Sequence, residues 1–317
     1  MLTHPPRHSD ILNAAERIQT LAHRTPILTC RAINERLGAS LFFKCENLQK
    51  VGAFKFRGAC NAVFSLPASS CQSGVIAHSS GNHAQALALA AKMRGIPAYI
   101  VMPSNAPEVK KAAVAEYGAQ ITFCEPTLQA RESTQEMIIA RTGAVEIHPY
   151  DNFDVIAGQA TATLELLQEY PDLEVVVAPV GGGGLLAGTA LAAHFQNNKI
   201  QVYGAEPQNA DDAFRSLLAG RIIPSNNPST VADGLLTSLG GRNFPILQEH
   251  LSGIVLASES AIIEHMRLFW ERAKLVIEPS AATALAAIAA NNHLFAGKKI
   301  GVVVSGGNVD LNRLPWL

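Results

Sequence analysis

Short β-branched runs alternate with Ala-rich stretches along most of this chain, and the junctions carry Gly and Ser turns. Val75–His78 runs through Ser79, Ser80, Gly81 and Asn82 into the Ala-rich stretch 83–94, which Gly95, Ile96 and Pro97 stop. A strand over 98–102, a helix around 107–117 and a strand over 120–124 follow, and further apolar runs stand at 175–180, 201–205 and 301–304. Apolar runs separated by helix-length segments predict an α/β fold of parallel sheets covered by helices on both faces. In open sheets of that kind ligands sit beyond the carboxyl ends of the strands. The Gly-rich and polar turns of this chain fall there.

At 317 residues the length suggests roughly two domains, at about 150 residues each. No linker is visible, so the second domain is expected as an insertion: 74–151 a small domain, 1–73 together with 152–317 a large one. Apolar residues make up 48% and charged residues 16%, which excludes a disordered chain. Twenty-five Lys and Arg against 26 Asp and Glu leave no basic surface for a phosphate backbone, so nucleic acid is not an expected partner. No apolar run approaches the about 18 residues of a membrane span, and the richest stretch, 281–290, reads as a buried helix. The N-terminus lacks the apolar core of a signal peptide. Cys30, Cys45, Cys60, Cys71 and Cys124 are scattered and odd in number, which suits a reduced, cytoplasmic setting.

Three loops carry the chemistry. Gly181, Gly182, Gly183 and Gly184 follow a strand and open a helix over 185–195. Four consecutive glycines are entropically costly, and the free N–H groups of the helix that follows make an anion cup, most simply for phosphate. Neither the nucleoside-triphosphate P-loop nor the dinucleotide fingerprint is present. Lys55 stands between Phe54 and Phe56, where partial desolvation would lower its pKa and make it a nucleophilic amine. Ser79, Ser80, Gly81, Asn82 and His83 place hydroxyls, an amide and a helix N-terminus at a strand end, and Ser305, Gly306, Gly307 and Asn308 repeat that arrangement. Each loop alone also reads as an ordinary turn or N-cap.

Together, and with Phe42-Phe43-Lys44-Cys45-Glu46-Asn47, Phe54-Lys55-Phe56-Arg57-Gly58-Ala59, Gly158-Gln159, Ala205-Glu206-Pro207, Asn209-Ala210-Asp211-Asp212 and Ile277-Glu278-Pro279, these motifs identify a resemblance that runs essentially end to end. The chain resembles the two-domain fold-type-II pyridoxal-phosphate enzymes, and among them the serine racemases and serine/threonine dehydratases. The resemblance implies that Lys55 binds pyridoxal phosphate covalently and that Gly181, Gly182, Gly183 and Gly184 hold its phosphate. Phe54 would pack on the ring, Asn82 would bond the ring hydroxyl, and Ser305 would meet the pyridine nitrogen. A serine hydroxyl cannot keep that nitrogen protonated as a carboxylate can, so the ring is a weaker electron sink and favours prompt loss of a β-leaving group.

The implied activity is racemisation, dehydration or both, on a β-hydroxy amino acid, serine first. A dehydratase specific for threonine or 3-hydroxyaspartate is the alternative. Lys55 would remove the Cα proton, and Ser80 would be the acid/base of the opposite face. The substrate carboxylate would sit on Ser79, Ser80, Gly81, Asn82 and His83, with Arg131 and Ser238 nearby. Arg131 would answer a second carboxylate such as that of 3-hydroxyaspartate. Glu206, Asp212 and the Ala210 carbonyl match a divalent-cation site suited to Mg²⁺, Ca²⁺ or Mn²⁺. A homodimer is implied as well.

The chain departs from the racemase pattern in places. Arg31 and Val51 replace small hydroxyl residues of an ATP site, although Lys50, Gln85, Tyr117 and Asn308 are compatible with one, so an ATP effector is not expected. Tyr150 stands where racemases often carry Asn, and His148-Pro149-Tyr150-Asp151 looks more like bacterial dehydratases. A β-replacement synthase, a non-catalytic cofactor-binding regulator and a nucleotide-binding protein remain the competing readings.

Overall fold

The computed structural model describes residues 1–79, 81–106 and 108–317. Its strands are β1 (Ile27–Leu28), β2 (Ser40–Cys45), β3 (Val75–His78), β4 (Ala98–Pro103), β5 (Gln120–Cys124), β6 (Val145–Glu146), β7 (Val175–Pro179), β8 (Gln201–Pro207), β9 (Gly253–Ala257) and β10 (Lys299–Val304). They form one six-stranded sheet in the order β1-β2-β10-β7-β8-β9 and one four-stranded sheet in the order β5-β4-β3-β6. Every pairing is parallel except β1 with β2. The α/β architecture expected from the alternation is therefore present.

Period-two alternation shows why both faces of the large sheet need helices. Val175 and Val177 of β7 enter a core with Ala281, Leu285 and Ile288 of the helix Pro279–Ala290. Val176 and Ala178 face the other way, toward Ile156 and Leu186 of the helices Phe153–Glu169 and Gly184–Gln196. The smaller sheet repeats the device. Val75 and Ala77 pack with Ala59, Val63, Ala84 and Leu87, while Ile76 and Val101 pack with Ile138. Helix starts follow local chemistry: Pro279 occupies a first-turn position that needs no N–H, and Asn152 accepts from Asp154 N (2.9 Å) and Val155 N (3.1 Å).

The motifs around Lys44 and Arg57 build one buried ion network. Arg57, with no exposed surface, pairs with Glu46 (2.7 Å) and Glu165 (2.8 Å), and Lys44 meets Glu165 at 2.6 Å. The network fixes the helix Lys55–Ser65 against β2 and the helix Phe153–Glu169. Gly58 and Gly158 let those helices approach, since a Cβ on Gly158 would stand 2.6 Å from the Arg57 carbonyl oxygen. Lys44 also explains why β2 escaped the sequence pattern: a charged residue interrupts an interior strand, and buried partners make that tolerable.

Candidate active site

Loops that follow strands of the two sheets come together, since Asn82, after β3, accepts from Asn308, after β10 (2.9 Å). An isolated bridge pairs Ala53 with Gly306, and Phe54 N donates to Ser305 O (3.0 Å). Phe54, Lys55 and the buried Ser305 are thereby brought together by backbone alone. The Lys55 amine donates to the Pro149 carbonyl (2.8 Å) and lies 5.2 Å from the Phe54 ring centre and 6.0 Å from that of Tyr150. Loss of water pushes its pKa down to about 8, against the upward pull of Glu278.

Gly181, Gly182, Gly183 and Gly184 follow β7, and Gly183 (φ +93°) is the residue before the helix Gly184–Gln196. The neighbours leave no room for side chains. A Cβ on Gly182 would stand 2.3 Å from the Tyr150 ring, and one on Gly184 3.0 Å from the Tyr150 backbone. Asn243, fully buried, donates its amide to Gly182 O (2.7 Å) and Tyr150 O (3.2 Å), tying the loop to the turn at 148–151. Asp151 anchors the same turn by accepting from Arg242 N (2.7 Å).

After β3, the Ser79 hydroxyl accepts from Gly81 N (3.3 Å), while Ser80 lies outside the described residues. Asn82 donates to Glu278 (3.0 Å) and accepts from Asn308 (2.9 Å), which also holds the Val51 carbonyl (2.7 Å). The His83 imidazole is buried with Nε2 donating to Ile147 O (2.8 Å), and burial, aided by Lys55, pushes its pKa down to about 3. His83 is thus a neutral packing group whose offer to a ligand is its backbone N–H. Arg131 lies on the helix Leu128–Thr142, close enough to His78 at the end of β3 to help lower its pKa after burial does so. Among the described residues its Nε is buried without a hydrogen-bond partner. The Ser238 hydroxyl accepts from Ser225 N (2.8 Å).

Glu206, next to last in β8, is buried and accepts from Ala213 N and Phe214 N, both at 2.8 Å. Burial pushes its pKa up to about 8. Asp212 opens the next helix, also buried, and among the described residues neither of its carboxylate oxygens has a hydrogen-bonded donor. Burial pushes it up to about 6, and Ser225 pulls the other way without reaching hydrogen-bond geometry. Among the described residues no three His, Cys, Asp or Glu side chains form a metal cluster, so a cation here would draw on these two carboxylates, carbonyl oxygen and water.

Two contributors escaped the sequence reading. Asn243 is a single asparagine opening a helix, with no pattern around it. Pro149 acts through its carbonyl, which every residue type has, so its identity gives no signal. The residues present fit pyridoxal phosphate: a bare glycine loop at a helix N-terminus, a lysine of lowered pKa, and a buried neutral hydroxyl at Ser305.

Residues 18–306 match the family described as pyridoxal-phosphate dependent enzyme. A serine racemase of Dictyostelium discoideum is 50% identical over 309 residues, covering 96% of this chain and 95% of the relative. A beta-hydroxyaspartate dehydratase of Paracoccus denitrificans is 49% identical over 311 residues, covering 98% and 99%. The crystal structure of serine racemase from Dictyostelium discoideum superposes with a TM-score of 0.93 over 96% of this chain and 99% of that one. The fold and its match to that structure define the class as a fold-type-II enzyme. The chain belongs to the family of pyridoxal-phosphate dependent enzymes.

Proposed function

We propose that this enzyme racemises and dehydrates a β-hydroxy amino acid, serine first, giving D-serine from L-serine and also pyruvate with ammonia. The observation that carries the reading is the Lys55 amine, of lowered pKa, held 2.8 Å from Pro149 O beside the bare glycine loop. Pyridoxal phosphate, when bound, supplies the electron sink that makes the substrate Cα proton acidic. Lys55 holds the cofactor and its Nζ takes that proton. Gly181, Gly182, Gly183 and Gly184 hold the phosphate with their amides, Phe54 covers the ring, and Asn82 and Ser305 meet its hydroxyl and nitrogen. Ser79, Gly81, Asn82 and His83 present backbone groups to the substrate carboxylate, with Ser238 at the margin. Ser80 returns a proton from the opposite face, which inverts the centre.

Glu206, Asp212 and the Ala210 carbonyl hold Mg²⁺, or Ca²⁺ in its place, and the unpartnered oxygens of Asp212 support this. Residues 74–151 act as the small domain and 1–73 with 152–317 as the large one, the cleft lying between them. The protein works in the cytoplasm as a homodimer. A second reading is favoured by one observation: the buried, unpartnered Nε of Arg131 suits the side-chain carboxylate of 3-hydroxyaspartate, the substrate named in the Paracoccus relative. The test is chiral product analysis with L-serine and Mg²⁺. D-serine together with pyruvate supports racemisation through Ser80. Pyruvate alone makes the enzyme a dehydratase, and neither product from serine, with keto acid from 3-hydroxyaspartate, selects the second reading.

A further inference from the structure

The turn at 148–151 supplies the carbonyl that receives the Lys55 amine, from Pro149, and the ring that lies against Gly182, from Tyr150. Its shape depends on what accepts the backbone N–H groups of Tyr150 and Asp151. His148 Nδ1 does so, at 3.4 and 2.8 Å. Four residues later the chain performs the same task with an amide: Asn152 Oδ1 accepts from the N–H groups two and three residues on. An Nδ1 that accepts two N–H groups carries no proton, so the ring is neutral and its proton is on Nε2. The charged and titratable groups facing His148 are Glu146, Asp151, His78 and Lys55, with His83 also within electrostatic reach and the Tyr150 ring centre 4.6 Å away. Burial outweighs the two carboxylates and pushes its pKa down to about 4.

We propose that His148 is the positioning residue of Lys55, its Nδ1 holding the turn in which the Pro149 carbonyl orients the amine. This inference rests on the role given to Lys55 above. A neutral amine that donates one N–H to a fixed carbonyl has its lone pair aimed by that bond, and reactivity depends on that aim as much as on basicity. When the carbonyl shifts, the amine stays intact but its lone pair loses direction. Capture of pyridoxal phosphate reads this directly: the Lys55 nitrogen bonds the aldehyde carbon, its two hydrogens leave with the aldehyde oxygen as water, and a C=N bond remains.

The test compares cofactor-stripped unsubstituted enzyme, His148→Asn and His148→Phe, following visible absorbance after pyridoxal phosphate is added at about pH 8. His148→Phe, with no acceptor, is expected to capture roughly tenfold more slowly or worse, and His148→Asn, able to accept the same two N–H groups, within about threefold of the unsubstituted enzyme. Equal capture by His148→Phe and the unsubstituted enzyme overturns the proposal, as does His148→Asn being as slow as His148→Phe. Should His148→Phe not fold, ¹⁵N-histidine spectra of the unsubstituted enzyme decide. His148 is expected as the uncharged Nε2–H tautomer from about pH 5.5 to about pH 9. An Nδ1–H tautomer, or a change of charge in that window, overturns the proposal. No readout uses an amino-acid substrate, so an error in the assigned reaction would leave all of them unchanged.

Discussion

The amine of Lys55 and the carbonyl oxygen of Pro149 lie 2.8 Å apart although 94 residues separate them in the chain. One belongs to the helix Lys55–Ser65, the other to the segment returning from the small sheet to the large one. The amine at the start of that helix is thus held by the backbone of the crossing between the two sheets.

The lowered pKa of Lys55 has a sign that kinetics can read. Capture of the cofactor needs the free amine, so the rate rises with pH, and its midpoint is expected near 8 because desolvation favours the neutral form. An ordinary lysine, with a pKa near 10.4, would have roughly 200-fold less free amine at neutral pH. The pH profile of absorbance recovery by cofactor-stripped enzyme checks this. A midpoint above about 10 would show a solvated lysine.

Gly182→Ala puts a Cβ 2.3 Å from the Tyr150 ring, and the clash falls at the base of that ring rather than at its free end. The loop or the ring must move, which weakens the dissociation constant for pyridoxal phosphate by an expected factor of about ten or more, with a stability loss of about 1–3 kcal/mol. Gly182→Ala combined with Tyr150→Ala opens the space again and is expected to recover most of the affinity. Cofactor titration of both variants provides the comparison, and unchanged affinity in the single variant would mean the loop adapts freely.

Arg131→Met keeps the length of the side chain and removes its charge. If Arg131 answers a substrate's second carboxylate, kcat/KM for 3-hydroxyaspartate falls by about a hundredfold, the usual loss when a desolvated charge pair is broken. For serine the change stays within about threefold, since no partner charge is left unpaired. Equal losses on both substrates would assign Arg131 a structural role.

Magnesium is expected to raise the unfolding temperature, since a cation that binds only the folded chain stabilises it by about 2.7 kcal/mol at a hundred times its dissociation constant. Glu206→Ala should erase that increment. The variant also strips two backbone N–H groups of their acceptor, so its starting stability falls, and the increment is the quantity to compare. A retained increment would move the cation elsewhere.

Strand boundaries were legible where apolar runs are uninterrupted: Val75–His78 and Gln120–Cys124 match the sequence reading at both ends. β1 and β6, two residues each, are too short to show a period, and β2 is masked by the buried Lys44. Candidate site residues proposed to act through side-chain type, such as Lys55 and Asn82, or through the lack of one, such as Gly182, are visible in the sequence. Those that act through backbone or through one amide, Pro149 and Asn243, did not, because any residue carries a carbonyl and a lone asparagine has no period. The roles of His83 and His148 also needed coordinates, since only burial and the identity of the partner atom decide which nitrogen holds the proton.

The most direct measurement is to reduce the cofactor-loaded enzyme with borohydride, digest it and locate the added pyridoxyl group by mass spectrometry. The account predicts one modified peptide, with the group on Lys55, and no modification in Lys55→Ala. A pyridoxyl group on another lysine, or its persistence in Lys55→Ala, would contradict it.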